Sequence, residues 1–307
     1  MMEDSDLFTP LSQAAKDLVE ETTAYAPAVS YWQDAWYRLK QNKMATFGVI
    51  TLAALIFMAI VGPLISGYTY YETQLPLKNQ SMSSTFWFGT DELGRDLFTR
   101  CWWGARISLF VGITASLIDL VIGVLFGSIA ALLGGKIEEL MMRFADILYA
   151  IPYLLVVILL MVIIGPGITT IIIALTITGW INMARIVRSQ ILQIKQQDYV
   201  RAAFALGASR RRVLLRHLIP NAMGPIIVTL TLTIPSAIFA EAFLSFLGLG
   251  VQAPIASWGT MANDGLSALR YYPWRLIFPS AFVSLTMLSF NLLGDGLRDA
   301  FDPRLRK

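Results

Sequence analysis

Long runs of apolar residues constrain this chain more than any other feature. A bilayer's hydrocarbon core is about 30 Å thick, which a helix crosses with about 20 residues, and within it every backbone N–H and C=O must be satisfied inside the protein. Runs of that kind recur at residues 46–66, 107–133, 145–165, 168–189, 222–246 and 274–294. They predict an all-α, polytopic membrane protein with six transmembrane helices. Composition agrees: 56% hydrophobic and 15% charged residues among 307, with a mean hydropathy of +0.60, exclude an ordinary soluble domain. The net charge of +3 is small and the basic residues flank the spans, so they read as topology signals, with no nucleic-acid partner expected. One cysteine, Cys101, permits no internal disulfide, and one histidine, His217, cannot build a His-based metal cluster. No metal or cofactor is expected in the chain.

Basic residues orient the spans. With both termini cytoplasmic, 18 of the 24 Lys and Arg residues fall on the cytoplasmic side, including Arg38, Lys40, Lys43, Lys136, Arg143 and the group from Arg185 to Arg216. The acidic start, with Glu3, Asp4, Asp6, Asp17, Glu20 and Glu21, is unlike a cleaved signal peptide, so the first span is expected to stay as an anchor. Residues 1–45 then form a cytoplasmic tail and an interfacial helix, which places Trp32, Trp36 and Leu39 on one face. Residues 46–106 hold the first span and an external amphipathic segment, in which Asp96 and Arg100 stand one turn apart and can pair on the wet side. Residues 107–307 form the core membrane domain. Its last external connection, 248–272, mixes Pro254, Gly259, Gly265 and Pro273 with Trp258 and Met261, which predicts a short helix lying back on the bundle.

Polar groups inside the spans need protein or water around them. Asp119 lies near the middle of the second span, where an acid costs about 2.5–3.5 kcal/mol on insertion scales. With Glu241, Asn182 and Asn291 it makes a set of candidate pathway or gate residues, each of which can equally be a hydrogen bond between helices. Glu241 is the first choice of the four, because it adjoins the flexible stretch Ser245–Gly250.

Residues 198–220, DYVRAAFALGASRRRVLLRHLIP, are the long polar, basic interruption of the second half. Tyr199–Leu206 favours a helix, Gly207 suits a left-handed stop, Ser209 caps a second short helix, and Pro220 closes the unit. Arg210, Arg211 and Arg212 open that second helix, where cations oppose the macrodipole. They answer either to inside-positive topology or to a carboxylate-bearing partner. The sequence lacks GxxxxGK[ST], HExxH, GxSxG and CxxC, so it carries no P-loop or familiar hydrolytic motif. An intramembrane protease would need a buried nucleophile and base, and His217 stands in the loop.

Here the loop carries a resemblance. Ala202-Ala203, Gly207 and Pro220 look like the EAA loop of binding-protein-dependent ATP-driven importers. Arg201 stands where the general pattern has Glu, and His217 and Ile219 where it has Ile and Leu, departures shared by the dipeptide and oligopeptide branch. FGTDELGRD from Phe88, EAFLSFLGLG from Glu241, SWG from Ser257 and GDGLRDAFDPRLR from Gly294 extend the likeness, which runs from about residue 40 to the end. The chain thus resembles C-type permease subunits of oligopeptide importers in bacterial cytoplasmic membranes, with the type I ABC importer transmembrane fold. The resemblance implies a homologous B-type permease, two ATPase subunits that hold ATP and Mg, an extracytoplasmic peptide-binding protein, and peptide as cargo. The chain itself would be no enzyme. It implies too that residues 198–220 couple to an ATPase subunit through Asp198, Arg201, Ala202, Ala203, Gly207, Ala208, Ser209 and Pro220. Dipeptides, murein peptides or a nickel complex are alternative cargoes of the same architecture, and a stand-alone secondary transporter or channel is the alternative of a different class.

Overall fold

A computed structural model describes residues 31–302, and the acidic tail of residues 1–30 lies outside that range. Helices are labelled α1 Tyr31–Gln41, α2 Lys43–Ile65, α3 Leu97–Leu133, α4 Gly135–Tyr149, α5 Tyr153–Ile164, α6 Ile168–Ile194, α7 Asp198–Ala205, α8 Arg210–Val213, α9 Ile219–Phe246, α10 Trp258–Leu266 and α11 Trp274–Phe301. Among the described residues the only extended pairing is an isolated bridge between Thr90 and Asp96.

The bundle is held by small residues placed where helices cross. Asn42 separates α1 from α2 and caps α2, its Oδ1 accepting from the N–H groups of Met44 and Ala45 at 3.0 and 3.1 Å. Along α2 the buried positions Ala45, Gly48, Leu52, Leu55, Ala59 and Gly62 follow helical spacing, and they face α11 at Ser289 and α3 at Trp102. On α3, Gly123 and Gly127 lie against Met183 and Ala184 of α6. Without a water-driven force between helices in lipid, such close backbone approach supplies the dispersion contacts that hold them.

Five helical segments are long and apolar enough to span a membrane, and α4 with α5 supplies the sixth only as a pair bent by 75°. The third span expected at 145–165 is therefore broken: the chain turns at Ala150–Pro152, where Pro152 cannot donate a helical hydrogen bond. The 12-residue α5 is about 18 Å long at 1.5 Å per residue, short of the hydrocarbon thickness.

Two more expectations are corrected. The external amphipathic helix is not separate, because Leu97–Leu133 runs as one 37-residue helix about 55 Å long. Nor does Pro220 end the loop. Arg210–Phe246 continues as one 37-residue stretch, in which Leu214–Leu218 forms a π turn. A proline in the first turn of α9 lacks only an N–H, and the wider turn before it absorbs the lost bond, Ile219 N–H reaching back to the Leu214 carbonyl.

At the end away from the 198–220 loop, residues 66–96, α10 and the start of α11 form a cap. Asp96 does not pair with Arg100. It caps α3 by accepting from Thr99 N–H at 2.8 Å and Thr99 Oγ1 at 2.6 Å, and burial raises its carboxyl above the usual range. Arg100 turns to the Tyr70 carbonyl at 2.9 Å and to Asp91 at 3.4 Å, while Arg95 meets Asp91 at 2.6 Å. Both arginines are buried, so the wet pairing expected of this segment becomes a network inside the cap. Arg275 ties three segments, donating to Asn79 Oδ1 at 3.2 Å, Glu92 Oε2 at 2.6 Å and the Asp264 carbonyl at 3.1 Å. The helix expected in the last connection is α10, with Trp258 fully buried and its Nε1 donating to the Cys101 carbonyl at 3.0 Å.

Candidate functional site

The 198–220 unit has one face anchored and one face free. Val200, Val213 and Leu218 are fully buried in a cluster with Met183, Val187 and Ile191 of α6 and Ala222 and Ile226 of α9. That cluster fixes α7 to the ends of both long helices. Gly207 adopts φ +81°, the left-handed stop its position requires, and Ser209 Oγ accepts from Arg212 N–H at 3.4 Å to start α8. On the free face Asp198, Arg201, Ala202, Gly207, Ser209 and Pro220 are exposed, Ala203 and Ala208 are half-buried, and Leu206 at the tip is 88% exposed. An exposed leucine beside a glycine whose side-chain direction opens onto empty space, flanked by alanines, offers a small-residue surface on a rigid base. Burial pushes the Tyr199 phenol above its ordinary pKa.

The four polar residues of the spans separate into two groups. Asp119 and Asn182 line one cavity of about 490 Å³ between α3, α6 and α9, together with Tyr153, Thr178, Thr229, Thr233 and Ser236. A neighbouring cavity of about 400 Å³ shares Ile186, Val228, Thr229 and Arg298 with it and extends to Gln190 and Asp302, so a groove with a few polar groups among apolar ones leads toward the loop end. Glu241 is elsewhere. It is fully buried, its two oxygens accepting from Ser108 Oγ at 2.7 Å and Ser245 Oγ at 2.8 Å, which joins α3 to α9. Asn291 lies exposed on α11, outside that lining. Sequence reasoning did not single out Tyr153 or the Thr229 and Thr233 pair. A tyrosine directly after Pro152 and threonines four residues apart are compatible with too many roles to be found that way.

This architecture matches a family. The model of the binding-protein-dependent transport system inner membrane component matches residues 123–307, and that of the N-terminal TM domain of oligopeptide transport permease C matches residues 30–81. The chain belongs to this family of permeases. The permease is 59% identical to the oligopeptide transport system permease protein OppC of Bacillus subtilis (strain 168), over 91% of this chain and 92% of that relative. It is 58% identical to the dipeptide transport system permease protein DppC of the same organism, over 94% and 90%. OppC of Escherichia coli (strain K12) is 42% identical over 90% and 92%. Among solved structures, an inward-facing conformation of the MetNI methionine ABC transporter superposes with a TM-score of 0.55 at 18% identity, over 65% of this permease and 94% of that chain. The permease therefore shares the fold of an ABC transporter membrane subunit, with several helices that cross the bilayer.

Proposed function

We propose that this permease forms half of the translocation path of an ATP-driven oligopeptide importer and receives the ATPase stroke through residues 198–220. The observation that carries the reading is the loop's geometry: a free face of Ala202, Leu206 and Gly207 on a base locked by Val200, Val213 and Leu218 to α6 and α9. A push on that face reaches both helices that line the groove, and such rigid-element coupling can switch the cavity between sides. The chain carries no nucleotide motif, so ATP and Mg belong to ATPase subunits, two of them in the assembly, with a B-type permease opposite. The loop end with its basic residues faces the cytoplasm, both termini lie there too, and an extracytoplasmic binding protein delivers peptide at the cap end.

Ala202→Trp tests it, since an exposed bulky side chain costs the fold little but blocks close approach. In proteoliposomes of the assembled complex, peptide uptake is expected to fall at least about tenfold while the complex still inserts; unimpaired uptake sinks the proposal. Dipeptide cargo is the second reading, favoured by the near-equal 58% identity to DppC, and competition between two- and five-residue peptides for uptake separates the two.

A further inference from the structure

Asp119 is 3% exposed on α3, faces the 490 Å³ cavity, and its Oδ1 has no hydrogen-bond partner. Tyr153 of α5 lines the same cavity, and its hydroxyl also has no partner. Buried polar atoms left open in an apolar medium are costly, and in membrane segments an ionisable group of this kind marks a pathway. The protein makes room for this one. Gly179 of α6 lies against the carboxylate, and any side chain there would run into Asp119. The lining is largely apolar, and oxygens of Asp119, Tyr153, Thr178, Thr229, Thr233 and Ser236 stand among its few polar groups. The hydroxyls of Thr229 and Thr233 donate to backbone carbonyls at 2.8 and 2.9 Å, so toward a ligand they have only acceptor capacity left. A carboxylate with surrounding oxygen acceptors suits a group that carries positive charge and several N–H donors.

We propose that Asp119 and Tyr153 bind the terminal ammonium group of the peptide in transit. The assignment rests on the importer reading above. An ammonium has three donors and no acceptor, so the carboxylate takes one or two and the phenol oxygen another. The rest of the peptide lies along the groove toward Arg298, the guanidinium that lines both cavities and complements a carboxylate of the cargo. Backbone and side chains of the cargo need no further specific contact, which suits a path that passes varied sequences.

The test is binding of radiolabelled trialanine and N-acetyl-trialanine to the permease–ATPase complex in nanodiscs, with the extracytoplasmic binding protein left out. The intact complex is expected to prefer the free amine about tenfold, the range for a charge-assisted bond. Asp119→Asn is expected to abolish that preference and Tyr153→Phe to reduce it about threefold. Equal affinity for both peptides in the intact complex, no binding of either, or a preference that survives Asp119→Asn overturns the proposal. So does loss of complex assembly in Asp119→Asn, which would show that the carboxylate holds a partner chain's cation. Wild-type uptake of trialanine in proteoliposomes supplied with binding protein and ATP is measured in parallel. Failure there overturns the importer reading, whereas uptake without amine preference overturns only this site.

Discussion

Glu241 and Asp119 are both buried acids inside long apolar helices, and their surroundings give them opposite roles. Glu241 has a hydroxyl on each oxygen, from Ser108 and Ser245, and Ser108 Oγ also accepts from the Trp258 N–H at 3.4 Å. It therefore pins α3, α9 and α10 to one another. Glu241→Ala is expected to destabilise the subunit by about 2–4 kcal/mol, since it opens a cavity and strands buried hydroxyls. A thermal-unfolding scan of the detergent-solubilised complex checks this, and Glu241→Gln, which keeps an acceptor and the volume, is expected to lose less than half as much. Full transport with an unchanged melting temperature in Glu241→Ala would refute the pinning role. That Asp119 and Glu241 need partners was legible from their positions in apolar runs. Which of them is satisfied was not, because Ser108 and Glu241 are 133 residues apart and meet only through the crossing of α3 with α9. The wet Asp96–Arg100 pair failed for the same reason: Asp91 and the Tyr70 carbonyl claim Arg100 once the cap folds over it.

At the scale of elements, apolar run length was a sound guide because the bilayer demands it, and each expected span overlaps a helix of the structure. Run length says nothing of where a helix continues past the apolar core or breaks within it. The amphipathic stretch that ends at Arg106 and the short helix expected between Ser209 and Pro220 look separate by composition, yet neither meets a helix stop before the next span. The 75° bend had a signal in Pro152, but a proline announces a break without its angle. The 198–220 unit was legible in its Gly207 stop and Ser209 cap, whereas its anchor was not, since Val200 and Val213 look no different from neighbouring apolar residues. That anchor carries a prediction. Val200→Ala removes two methyl groups from a fully buried site, about 2 kcal/mol of local stability, and leaves the exposed face intact. ATPase subunits are then expected to stay bound while peptide moved per ATP hydrolysed falls severalfold, because a loosened α7 yields under the stroke instead of transmitting it. Simultaneous uptake and hydrolysis assays read that ratio, and an unchanged ratio would locate coupling elsewhere.

The whole molecule is polarised, with one end closed by the cap and its buried network of Asp91, Arg95, Arg100 and Arg275, the other open through the groove and crowned by the 198–220 unit. The direction of that axis in the membrane decides the function, because ATP is available on one side alone. Inside-positive bias is the argument for the proposed orientation, with the basic loop end in the cytoplasm. The chain lends itself to a direct check: its single cysteine, Cys101, is fully buried, so an introduced thiol is read against a silent background. Leu206, 88% exposed, marks the loop end, and Tyr271, 71% exposed, marks the cap end. In intact cells a membrane-impermeant maleimide is expected to label Tyr271→Cys, and to label Leu206→Cys only after the membrane is opened. The reverse pattern would put residues 198–220 outside, beyond the reach of any ATP-bound subunit. Docking through Ala202 and Gly207, the stroke through Val200 and the delivery of peptide at the cap would then all fall together, since each depends on the same orientation.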